Sequence, residues 1–118
     1  MRPQMAIPAR LSDLSPPRQA LVRLCQTIDY GQILDLHIGA DHEPSFCPEP
    51  QVIVEVKLDG DPRPLAETEQ PDFVLRNEVL RLMDRIDEIG TGRIQKIEIR
   101  AGLPKRVLIH ASLSEVIR

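Results

Sequence analysis

Aromatic side chains are nearly absent from this chain of 118 residues: one Tyr, two Phe and no Trp. A core must therefore be built from aliphatic residues, and platforms for stacking nucleotide bases are scarce. Two cysteines, Cys25 and Cys47, are too few for a disulfide framework and fit free thiols in a reducing compartment. The opening MRPQMAIPARL holds no continuous apolar stretch, so it does not read as a secretory signal, and no later run approaches the ~20 apolar residues of a membrane span. The expectation is a soluble, cytoplasmic protein. A net charge of −3 gives no global basic excess to draw nucleic acid or anionic lipid. Nucleophile elbow, phosphate loop and C-x-x-C are all missing. GTGRI at 90–94 is glycine-rich, but it follows a helical pattern, the wrong end for a phosphate. No cofactor is implied, and no catalysis is expected.

What the chain does have is a near-repeat. LVRLCQTID lies over VLRLMDRID, GQILDLHIGA over GRIQKIEIRA, and VIVEVKL over VLIHASL. In this alignment Gly31 matches Gly92, Ile33 matches Ile94, Leu36 matches Ile97 and Ile38 matches Ile99. Each copy reads as helix, strand, strand. One copy is too small to bury enough surface alone, so two copies should form one cooperative domain. The expected fold class is α+β: a duplicated αββ unit (αββαββ) with pseudo-two-fold symmetry and a four-stranded antiparallel sheet with two helices on one face. The units span 15–58 and 71–113 and are joined by a linker at 59–70. Residues 1–14 form a flexible or extended N-terminal arm that can dock through Met5, Ile7, Leu11 and Leu14.

Local signals set the elements. Ser15 and Pro16 mark a helix start. Leu21, Leu24, Cys25 and Ile28 then form one helical face, and Gly31 is expected to end the helix in the left-handed conformation. Leu34, Leu36 and Ile38 alternate with Asp35 and His37 as a half-buried strand. Ile33 and its counterpart Ile94 have the wrong parity, which points to a bulge or a corner plug. Val52, Val54, Val56 and Leu58 predict a second strand, antiparallel to the first and the edge most prone to pair. Helix two is expected from Pro71 or Asp72, with Leu75, Val79, Leu82, Met83 and Ile86 inward. Strand three runs over 93–100, AGLPK is a turn, and strand four covers 106–111. The last residues, 112–118, fray or add a helical turn. Each unit, a helix followed by a Gly31-x-Ile33 or Gly92-x-Ile94 strand, resembles the very short YezD-like bacterial proteins, a resemblance that implies no activity.

Three residue groups carry candidate chemistry. His37, His42, Glu43 and Cys47 are metal-ligating types close in sequence, without the spacing of a closed zinc site. His37, His110, Glu55 and Glu98 fall on one expected sheet face, where a His–carboxylate pair can relay protons. Arg93, Lys96, Arg100, Lys105 and Arg106 form a basic cluster on the second hairpin, interrupted by Glu98 and accompanied by His110 as a candidate binding residue, and give an alternative reading as a nucleic-acid surface. The copies differ most in the first hairpin. Sixteen positions separate Ile38 from Val54, against ten from Ile99 to Ile109. Phe46 sits in this longer loop, either as a partner contact or folded back onto the core. The leading expectation is a small interaction or regulatory module that meets a protein partner or itself as a homodimer, through pairing of open sheet edges. A ligand- or metal-binding protein, enzymatic or not, that uses the 39–51 loop and the outer sheet face is the alternative.

Overall fold

A computed structural model describes residues 9–61 and 63–117. Helix α1 spans Pro16–Ile28 and helix α2 Asn77–Ile89, with prolines filling the first turn of α1 where a missing N–H costs nothing. The strands are β1 (Gly31–Ile38), β2 (Pro44–Ser45), β3 (Gln51–Val54), β4 (Gly92–Arg100) and β5 (Leu103–Leu108). A final turn of helix covers Leu113–Val116. The fold is α+β with an antiparallel sheet of five strands, one more than the four expected. The extra strand arises because the partner of β1 is broken in two. β2 pairs with His37 and Ile38, β3 with residues 31–34, and both lie on the flank of β1 opposite β4. The far edge of the sheet is β5.

The core is aliphatic, as the composition dictates. Leu21, Val22, Cys25 and Ile28 of α1 and Val79, Leu82, Met83 and Ile86 of α2 meet Ile33, Leu36, Ile38, Ile94, Ile97 and Ile99 in one buried cluster. Strand parity differs from expectation. Ile33 is fully buried and Leu34 only partly so. Asp35 takes a left-handed φ of 58°, which interrupts the pleat of β1. The ladder runs in constant register from Gly31↔Ile99 to Ile38↔Gly92, and Asp35 with Gln95 is the one facing pair missing from it. Buried residues therefore recur three apart on both strands, at Ile33 and Leu36 and at Ile94 and Ile97.

Other boundaries shift for local reasons. Asp29, at φ 65°, ends α1 in place of Gly31, its N–H bonded to the Cys25 carbonyl at 3.0 Å. Gly31 serves a different need: a Cβ there would collide with the Ile53 carbonyl oxygen as β3 crosses. Ala101 and Gly102 both adopt positive φ, so the second hairpin turns in two residues and β5 begins at Leu103. β5 stops at Leu108, which leaves His110 outside the sheet. Helix α2 starts at Asn77, because residues 72–76 are drawn out where Val74 bridges Arg10 and Phe73 and Leu75 are buried. The 59–70 segment carries a 3-10 turn at Ala66–Glu69. Leu11 is buried and Leu14 packs against the core, so this part of the arm docks. Met5 and Ile7 lie outside the described residues.

Candidate functional site

The fold disperses two of the three groups named from the sequence and keeps much of the third, the basic cluster, together. Among the described residues no three His, Cys, Asp or Glu side chains gather as a metal site. His37 lies on β1 opposite Ser45 and Arg93. Glu43 is committed elsewhere: its Oε1 accepts from Ser15 Oγ at 2.7 Å and from Arg18 Nε at 3.0 Å. His42 is exposed at φ 66°, with its ring beside Gly90, and Cys47 is exposed in the arch between β2 and β3. Phe46 packs against the core, so the folded-back arrangement is the one observed. His110 and Glu55 both fall outside the strands.

Much of the basic cluster is internally matched. Arg106 Nη2 meets Glu98 Oε2 at 2.8 Å, Lys96 Nζ meets the same oxygen at 3.8 Å, and Arg93 Nε stands 3.7 Å from Asp35. The Glu98 carboxyl is held below its ordinary range by the Arg106 hydrogen bond, opposed by partial burial and helped by the charges of Arg106, Lys96 and Arg100. Arg100 remains exposed. A groove between α2 and β5 shows similar matching: Lys105 Nζ binds Glu78 at 2.7 Å and lowers its pKa.

Three polar clusters escaped sequence reasoning. Arg18, mostly buried, joins Glu43, Asp87 at 2.6 Å and the His42 carbonyl at 3.0 Å. It ties the start of α1 to the 39–43 turn and to the end of α2. Burial lowers its pKa, but the hydrogen bonds to Asp87 and Glu43 outweigh that and leave it raised. Glu67, buried in the linker, is held ionised by a two-pronged bond from Arg76 at 2.6 and 3.1 Å. Asp72 accepts from Arg10 Nε, Ser12 N and Ser12 Oγ, each at 2.9 Å, and clamps the arm. Arg18 and Glu43 are 25 residues apart and Arg10 and Asp72 are 62 apart, while Glu67 and Arg76 are nine apart across an irregular segment, so helix or strand spacing gives no sign of them. Cys25 is sealed in the core, where burial pushes its thiol up to about 12 and makes it a poor nucleophile.

The surface that stands out is apolar. Every residue of β3 is exposed, and so is the 55–58 stretch that follows. Apolar side chains there range from 42% exposed at Val52 to 93% at Leu58, with Ile53, Val54 and Val56 between. Val52 stands opposite Ile33 and Val54 opposite Gly31, so both point to the inner face of the sheet yet remain open to solvent. The sequence reading of an inward-facing second strand is thus corrected: Val56 and Leu58 lie past the end of β3, and none of the four joins the core.

The two sheet edges are unequal. On β5, Pro104 lacks an N–H, the register shifts between Glu98 and Ile99, and Lys105 and Arg106 are charged and exposed. Proline, bulges and charge are the usual protections of an edge strand. β3 has none of these between Gln51 and Val54. The Glu55 amide donates to the Tyr30 carbonyl at 2.8 Å. By the alternation of an antiparallel ladder, the backbone groups of Val52, Val54 and Val56 then face away from β1. No helix among the described residues is long and apolar enough to cross a membrane. Comparison with protein-family models, curated proteins and solved structures finds no match for the chain.

Proposed function

We propose that the protein is a non-catalytic interaction module that takes up an extended polypeptide segment along its open β3 edge. The observation that carries this reading is the run of exposed apolar residues at 51–58 beside unprotected backbone groups. A strand added there satisfies the outward N–H and C=O groups, which no described residue pairs, and covers the alternating Val52, Val54 and Val56. Burying such side chains contributes about 25 cal/mol per Å² of apolar surface. The dispersal of His37, His42, Glu43 and Cys47, and the pairing of Arg93, Lys96 and Arg106 with carboxylates, favour this reading over metal or nucleic-acid binding.

A test uses a short, soluble peptide of alternating Val and Thr titrated into isotope-labelled protein. Amide shifts should concentrate at 51–58 and be lost in Val54→Pro, which removes one outward donor. Saturating peptide with no shift at 51–58 would remove the reading.

The proposal includes the duplication of units 15–58 and 71–113. Its support is that aligned residues exchange across the central pair: Ile33 faces Ile97, the match of Leu36, while Leu36 faces Ile94, the match of Ile33. A permuted chain that begins at 59 and ends at 58, native ends linked, should keep the unfolding midpoint. Failure to fold would count against interchangeable units. A cytoplasmic setting fits two free thiols, and alkylation during rapid denaturing lysis of cells, which opens the buried Cys25, should find both reduced.

A further inference from the structure

We infer that the segment received on this edge is the same segment of a second copy, paired antiparallel about a two-fold axis at Val56. The inference rests on the interaction reading above and names its partner. Three constraints select it. The first is hydrogen-bond parity. Even-numbered residues of β3 and its extension turn their backbone groups outward, so a symmetric pairing must set even-numbered residues against even-numbered ones, which places the axis on a residue and not between two.

The second is proline. Centring on Val52, Ile53 or Val54 sets Val54, Val56 or Leu58, respectively, against Pro50 of the other copy, which has no donor to give. The third is charge. Centring on Glu55 or Lys57 sets that charge against its own copy, and centring on Leu58 opposes Glu55 to Asp61, like-charge pairs in every case. Centring on Val56 instead opposes Glu55 to Lys57 twice, once on each side of the axis. It also sets Val56 against Val56 and Val54 against Leu58.

The two faces of the joined strands are then chemically consistent. Val54, Val56 and Leu58 of both copies extend the inner, apolar face on which Val52 stands opposite Ile33. Glu55 and Lys57 lie on the outer face, where the sheet already carries Glu98 and Arg106. The 55–57 stretch, exposed and outside β3 in the single chain, becomes strand in the pair. The acid and the base needed for the contact occur two residues apart in one segment, which makes the segment complementary to itself.

The experiment is sedimentation equilibrium on the full chain, with Glu55→Lys, Lys57→Glu and the double exchange Glu55→Lys/Lys57→Glu. Both positions are exposed, so the variants fold. The wild type should dimerise in the micromolar range. Each single reversal, which sets like charges opposite each other twice, should weaken association about tenfold. The double exchange should restore it. A chain that stays monomeric at high micromolar concentration, or a dimer indifferent to single reversals, overturns the inference. The Val/Thr peptide separates this failure from that of the interaction reading. If peptide shifts persist at 51–58 in a monomeric chain, only the second copy is wrong; if they too are absent, the edge itself is not a binding surface.

Discussion

Asp35 is the residue on which the central strand turns. Its φ of 58° lies in a region that an unbranched Asp tolerates and a β-branched residue does not. Asp35→Val should therefore cost about 1–2 kcal/mol despite its higher strand propensity, whereas Asp35→Gly should stay within about 1 kcal/mol of the wild type. Urea unfolding measures both; a Val variant as stable as the Gly variant would remove the argument. The sequence contained half of this feature. The shared odd parity of Ile33 and Ile94 announced an irregularity, but its position two residues later, at Asp35, was hidden, because Asp is also an ordinary outward residue of a strand. Cys25, at the other extreme, was legible from spacing alone, since Leu21, Cys25 and Ile28 leave no other face for it.

Among the elements, the helices were the most readable and the second strand the least. α1 begins where Ser15 and Pro16 place it, and α2 keeps the face built by Val79, Leu82, Met83 and Ile86. Its start was misplaced because the docking of Arg10 on Val74 and the clamp at Asp72 hold 72–76 extended, and those contacts come from more than sixty residues away in the chain. The clamp has a pH signature. Asp72 has its carboxyl pulled from 3.8 down to about 2, chiefly by the Arg10 hydrogen bond and then by the Ser12 amide. A folded pKa below the unfolded one means that the clamp stabilises fully above pH about 3.8 and fades as pH falls toward about 2. NMR titration of the carboxyl should give that low midpoint, and Asp72→Asn should raise amide exchange in 11–14. A normal midpoint for Asp72 would show that the arm is not held this way. VIVEVKL reads as an inward-facing strand because alternation specifies which side chains share a face, not whether a helix reaches far enough to cover that face.

At the scale of the whole molecule, the helices shelter the middle of the sheet and leave one flank uncovered. This separates two properties that usually travel together. Val56→Lys should leave the unfolding midpoint within about 0.5 kcal/mol at high dilution, since Val56 is exposed in the single chain, yet sharply reduce light scattering at high concentration. A large loss of stability in the diluted chain would mean that 55–58 packs against its own domain. The candidate surface was partly legible, since its composition marked it as prone to pair. Its exposure was not, because that depends on the reach of α1 and α2 over a flank shared by β2 and β3.

The pairing of β1 with β4 also carries a consequence in time. The turn at Ala101 and Gly102 lets β4 and β5 find each other locally, on the microsecond scale of a hairpin. The central ladder must instead bring Leu36 to Ile94 across the long arch, the linker and all of α2. Closing that distance costs chain entropy before any contact repays it, so the folding rate is governed by the middle of the sheet. Until β1 arrives, Ile94, Ile97 and Ile99 stand on an unfinished hairpin, and the interval before that arrival is when the chain is most exposed to misassociation with its neighbours.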